Sequence, residues 1–179
     1  MKICNKNILS ATVQYVILSV FAVLSFCSCT IGFTMNGASI DYSKTHSIAI
    51  SDFPNHAALV NPSLANDLTE GIRDIFIRQT RLNVQRQSGD LELEGEITGY
   101  QLTPMAISAD SYSAETKLTI TVKVVFTNNV NPDESFEKTY SAYQTFDSTR
   151  LITDVQDELC ATMITEIAEN IYNDTVAKW

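Results

Sequence analysis

The chain has 179 residues, with 12 lysines and arginines against 21 aspartates and glutamates, for a formal net charge of −9 at neutral pH. That length suits one domain. The acidic balance excludes nucleic acid and broad adhesion to anionic lipid, because both need clustered cationic side chains.

Lys2 and Lys6 open the chain as a short basic region, followed by an apolar run in which Val16 to Phe26 is broken only by Ser19 and Ser25. Such a run is too short and too close to the terminus for a membrane span and reads as the core of a secretory signal. It ends in Phe26-Cys27-Ser28-Cys29, which resembles a bacterial lipobox: Ser28 supplies the small residue that the signal peptidase needs before the modified cysteine. Bulky Phe26 disfavours Cys27 as the acceptor. The expected organisation is a signal peptide over residues 1–28, a lipidated tether over 29–45 and a single α+β domain over 46–179.

Acylation at Cys29 would anchor the protein, since each buried methylene contributes about 0.8 kcal/mol. Loss of Lys2 and Lys6 leaves ten basic side chains against 21 acidic ones, a net charge of −11. Cys160 is then the one remaining free thiol, so no disulfide framework is expected. Its neighbours Leu159, Met163 and Ile164 mark it as a core residue.

Ser47 to Ser51 predicts a first strand, stopped by Asp52-Phe53-Pro54. Asn61 and Pro62 suit the opening of a helix, and Leu64, Leu68, Ile72, Ile75 and Phe76 give it one apolar face. Gly71 weakens that helix by about 1 kcal/mol relative to alanine, a cost consistent with close packing. Leu91, Leu93 and Ile97 then alternate with Glu92, Glu94 and Glu96, with Gly95 and Gly99 leaving room for a bulge or a close backbone approach. Leu118, Ile120, Val122, Val124 and Phe126 give the clearest alternation. The turn formers from Asn128 to Asp133 lead into a strand over Phe136 to Phe146, predicting an antiparallel hairpin. Thr153 and Gln156 have capping-box spacing ahead of a final helix lined by Leu159, Met163, Ile167 and Ile171. The expected fold is two helices on one face of a mainly antiparallel, mixed sheet of four or more strands.

No nucleophile elbow, phosphate loop, C-x-x-C or H-E-x-x-H pattern is present. His46 and His56 fall near strand ends or loops without supporting carboxylate spacing, so neither a metal nor a cofactor is expected. Glu92, Glu94 and Glu96 read as a solvated strand face that discourages edge association, in preference to a glycosidase pair. Arg73, Arg78, Arg81 and Arg86 place four cationic side chains within fourteen positions. Their planar donor forks suit phosphate or carboxylate ligands, although arginines at a helix end also complement its dipole.

Phe53-Pro54-Asn55, Val60 to Leu64, Gly89 to Tyr100, Leu118 to Thr127, Asp157-Glu158-Leu159 and the final Trp179 together resemble the LptE family of lipopolysaccharide-assembly lipoproteins, in its Bacteroidota form. The resemblance implies a non-enzymatic outer-membrane lipoprotein facing the periplasm, with two helices against a small sheet. It implies an LptD-type β-barrel partner that the lipoprotein plugs and helps to fold, and a part in placing lipopolysaccharide in the outer leaflet. The family has no strict ligand motif, so its binding residues do not map onto this chain. A stand-alone lipid- or glycan-binding periplasmic lipoprotein is the alternative. A surface enzyme would need an acid–base constellation that the sequence lacks.

Overall fold

The computed structural model describes residues 40–59, 61–105 and 114–177. Five strands form one mixed sheet: β1 (Ser47–Ile50), β2 (Asn83–Gln85), β3 (Leu91–Pro104), β4 (Glu115–Asn128) and β5 (Phe136–Asp147), in the order β2-β1-β3-β4-β5. Helices α1 (Leu64–Gln79) and α2 (Gln156–Thr175) complete the α+β fold. The three long strands make an antiparallel meander that includes the expected hairpin of β4 and β5. β1 pairs in parallel with both β2 and β3. Its parallel pairing with β2 follows from the intervening helix, since a crossover of that length returns the chain in the same direction.

Alternation in β3 is real but changes phase. Ile97 pairs with Val122 and Gly99 with Thr121, so Thr98 is an extra residue in a bulge. Before it Leu91, Leu93 and Ile97 face the core, and after it Tyr100 does. The bulge lets one strand serve one core through both halves of its length. Gly95 is needed for another reason: a Cβ there would lie 2.5 Å from the Phe53 ring and 2.4 Å from the Lys123 carbonyl oxygen.

Both helices cover one sheet face, with Leu64, Leu68, Ile72, Phe76, Met163, Ile167 and Ile171 inaccessible to solvent. They run parallel. Asn61, just before α1, reaches Cys160 in the first turns of α2, and Phe76 meets Tyr172 edge-on at 5.7 Å near their ends. At mid-length a Cβ on Gly71 would approach Ile164 Cγ2 to 2.6 Å, so the expected close packing is present.

Three local expectations need correction. Thr153 does not cap α2: Ile152–Asp154 forms a 3-10 turn, Val155 precedes the helix, and no side-chain cap bond is made. Asn61 lies two residues ahead of the N-cap position of α1, its Oδ1 accepting from the Ser63 N–H (3.1 Å) and hydroxyl (3.2 Å) while the helix starts at Leu64. The glutamates of β3 guard no edge, because β3 is interior. Glu92 accepts from Asn129 (3.2 Å), Glu96 meets His56 Nδ1 (2.7 Å), and Glu94 is exposed. β2 escapes the sequence reading because three residues carry too little pattern. Of the expected tether, residues 40–45 are described, and Ile40 and Tyr42 pack against the core.

Candidate functional site

The site grows out of a mismatch between neighbouring strands. β2 stops opposite Ala49, where Gln85 is its last partner, while the chain of β1 runs on toward Phe53. Among the described residues no strand lies on the outer side of the backbone groups beyond that point, and a buried one left unpaired costs about 1–3 kcal/mol. α1 supplies the missing partners from its side chains. Arg73 Nη2 donates to the Ile50 carbonyl at 3.0 Å, and the Phe53 N–H donates to Thr69 Oγ1 at 3.1 Å. The Thr69 hydroxyl in turn donates to the Ala65 carbonyl one helical turn back, at 2.7 Å.

Arg73 is held by two carboxylates as well. Nη2 lies 2.7 Å from Asp52 Oδ1 and Nη1 lies 2.9 Å from Glu70 Oε1. Burial alone would lower its pKa, but the bonds to Asp52 and Glu70 outweigh that and raise it. The same bond, followed by the charges of Arg73 and Arg86, holds the Asp52 carboxyl below its usual range. On the far side the loop is stitched to β3, with the Ile97 N–H donating to the Pro54 carbonyl and the His56 N–H to the Ile97 carbonyl, both at 2.9 Å. A groove of about 540 Å³ opens between this loop and α1, lined by Asp52, Phe53, Thr69, Glu70, Arg73 and Arg86 among others.

The four arginines named from the sequence therefore separate. Arg73 and Arg86 share the groove. Arg78 stands exposed in the last turn of α1, 3.9 Å from Asp74, and Arg81 is exposed in the connection to β2. Neither lines the groove. Arg73 is only 8% exposed and its Nη atoms are engaged, so its first role is to finish the sheet edge. Cys29 lies outside the described residues.

Two further polar groups escaped the sequence reading. The Asp90 carboxylate accepts from the N–H groups of His46 (2.7 Å) and Ser47 (3.1 Å) and from the Ser47 hydroxyl (3.0 Å), tying the start of β1 to β3 and lowering its own pKa. Only the turn character of Gly89-Asp90 hinted at this. Between the first turns of the helices Asn61 Nδ2 lies 3.7 Å from Cys160 Sγ, with the buried Tyr100 hydroxyl beside them and no well-formed hydrogen bond to it. Burial pushes the Cys160 thiol up and Tyr100 to about 12, so both stay protonated at neutral pH. Cys160 is the core residue its neighbours predicted.

A second groove of about 270 Å³ lies where β3 begins and α2 ends, lined by Ile40, Lys44, Leu91, Phe126, Asn131 and Thr175 among others. Among the described residues no cluster of three or more histidine, cysteine or acidic side chains is placed to hold a metal ion, and no helix is long and apolar enough to cross a membrane.

Comparison with known proteins returns one family, described as LptE, lipopolysaccharide-assembly, whose profile matches residues 45–175. No curated protein matches in sequence. Among solved structures the chain is similar to rare lipoprotein B from Shewanella oneidensis (13% identity, 71% of this chain and 89% of that one, TM-score 0.45). It is also similar to a minor lipoprotein from Acinetobacter baumannii (12%, 67% and 88%, TM-score 0.43) and to a lipoprotein from Caulobacter crescentus (16%, 70% and 86%, TM-score 0.42).

Proposed function

The chain belongs to the LptE family of lipopolysaccharide-assembly proteins, and from that membership we propose that it is an outer-membrane lipoprotein that seats in an LptD-type β-barrel, helps that barrel to fold and aids insertion of lipopolysaccharide into the outer leaflet. Residues 1–28 are its signal peptide, Cys29 carries the lipid, residues 29–45 are the tether, and the α+β domain faces the periplasm. The family match over residues 45–175 carries this reading. The family is one of assembly lipoproteins and not of enzymes, and the engaged state of Arg73 fits a structural part for that side chain.

Lipopolysaccharide contact is assigned to the exposed arginines. Arg78 and Arg81 stand clear of the core at the end of α1, and Arg86 borders the groove beside Asp52. On a mature chain of net charge −11, phosphate groups must be held by local cationic side chains, and screening over about 8–10 Å at physiological salt lets these act independently of the rest of the chain. Arg73 contributes by holding the loop that shapes the groove.

Depletion of the protein in its own cell tests the central claim. Correctly assembled barrel should fall, and lipopolysaccharide should accumulate in the periplasm or inner membrane. Normal surface lipopolysaccharide after complete depletion would refute it. Intact-mass measurement should find acyl mass on the wild-type protein and none on Cys29→Ala.

A further inference from the structure

We propose that the outer edge of β5 docks an extended, uncharged strand of another polypeptide, which, resting on the function proposed above, belongs to the barrel partner. β5 has 12 residues and closes the strand order. Among the described residues no strand pairs with its outer side. Its register with β4 runs unbroken from Glu115↔Asp147 to Phe126↔Phe136, so no bulge turns the edge away.

Bonds at the end of the hairpin fix which backbone groups face outward. The Ser148 N–H donates to the Ala114 carbonyl at 2.9 Å, one step beyond the Glu115↔Asp147 pair. The Met105 N–H donates to the Glu115 carbonyl at 2.8 Å, so the neighbouring residue of β4 turns toward β3 instead. In an antiparallel ladder the two polar groups of a residue point the same way, and the direction alternates along the strand. Even-numbered residues of β5 therefore bond to β4. Glu137, Thr139, Ser141, Tyr143 and Thr145 point their N–H and C=O groups away from the sheet, over about 27 Å at the rise of an antiparallel strand.

Natural sheets blunt such an edge with proline, bulges, short strands or inward charges. From Thr139 to Thr145 β5 has no charge and no proline. Lys138 is engaged by Asp174 on α2. The opposite edge is guarded, by a three-residue β2 and the side chains of Arg73 and Thr69. A long edge with no strand beside it among the described residues fits a strand supplied by a partner. A second copy of the chain is disfavoured, because each mature chain carries a net charge of −11. On the open face a docked strand would lie beside Thr139, Ser141 and Tyr143, the last 62% exposed. β-branched and aromatic cross-strand neighbours suit those side chains.

The test uses the full-length lipoprotein purified from its own outer membrane and the β-barrel that comes with it. Ser141→Pro removes an outward N–H while leaving the ladder with β4 intact, and Ser141→Ala changes only the side chain. Recovery of the barrel should fall by about tenfold or more for Ser141→Pro, the scale of one lost backbone bond with its desolvation, and stay at the wild-type level for Ser141→Ala. Hydrogen exchange on the wild type needs no variant: the amides of Thr139, Ser141 and Tyr143 should exchange freely in the isolated lipoprotein and be protected in the complex. A barrel that copurifies equally with a folded Ser141→Pro, or those amides remaining unprotected in the complex, overturns the docking edge and leaves the function standing. Protection already present in the isolated chain would show the edge covered by its own residues or by a second copy, and would also overturn it. Failure of the wild type to bring down any barrel would instead reject the proposed function.

Discussion

Along β2 the sheet ends in three residues backed by side-chain bonds from α1, whereas along β5 it ends in a 12-residue strand whose outward backbone groups between Glu137 and Thr145 meet no strand among the described residues. Both edges belong to one sheet under one helical layer, so burial of the core does not explain the difference. The β2 edge is finished by residues that are themselves buried, Arg73 at 8% exposure and Thr69 at 3%. They replace a strand by supplying its hydrogen bonds without its length. The β5 edge keeps its length and its outward bonds. One edge is closed for stability and the other is left able to pair.

The strongest break of this comparison is a proline placed on either side of one peptide. Ala142→Pro removes a bond to β4 and should cost about 3 kcal/mol or unfold the domain. Ser141→Pro should melt close to the wild type, because its N–H points out. Equal losses in urea unfolding would mean that the assigned backbone direction is wrong. Next comes the plugged edge itself. Arg73→Ala strands the Ile50 carbonyl and leaves space beside Asp52, for a loss of about 2–3 kcal/mol in the same measurement. A near-neutral result would show that water closes this edge as well as the guanidinium does. Thr69→Val keeps the shape and removes the acceptor for the Phe53 N–H, so about 1–2 kcal/mol should go.

Acid separates the edges more gently. A carboxyl with a depressed folded pKa contributes stability that is full above its unfolded value, here 3.8 for Asp52, and is lost as the pH falls through the lower folded value. Wild type should therefore melt above Asp52→Asn at neutral pH, and the gap should close as the pH drops below about 4. A gap that persists under acid would remove the Arg73–Asp52 pair from the explanation. Smallest of all, Ser141→Ala should shift stability by under about 0.5 kcal/mol, since it alters an exposed side chain on the open face. A larger loss there would make β5 side chains, and not its backbone, the feature to explain.

Legibility in the sequence followed length and regularity. The apolar stripes of α1 and α2 and the alternation of β4 were readable because each repeats its period several times, and burial on one side enforces the repeat. Gly71 was readable as a cost kept for a packing reason, and Ile164 is that reason. Cys160 was readable from its neighbours. By contrast the capping of α2 misled, because Thr153 and Gln156 have the right spacing but the chain enters through a 3-10 turn. β2 was invisible, with one inward residue, Val84, in three.

The four arginines show where reading along the chain ends. Their closeness in sequence predicted one cationic group, yet α1 turns Arg73 under the sheet edge and leaves Arg78 outside, while Arg86 returns to the groove beyond β2. Helical phase and strand length decide this, and both depend on partners far away in sequence. Local pattern determined the apolar faces and hence the layered α+β fold, since each face must be buried whatever its neighbours are. How each edge ends and which arginine is engaged were decided only in three dimensions, because a hydrogen bond from Arg73 to Ile50, or the lack of a strand beside β5 among the described residues, is a relation between segments that no single segment contains.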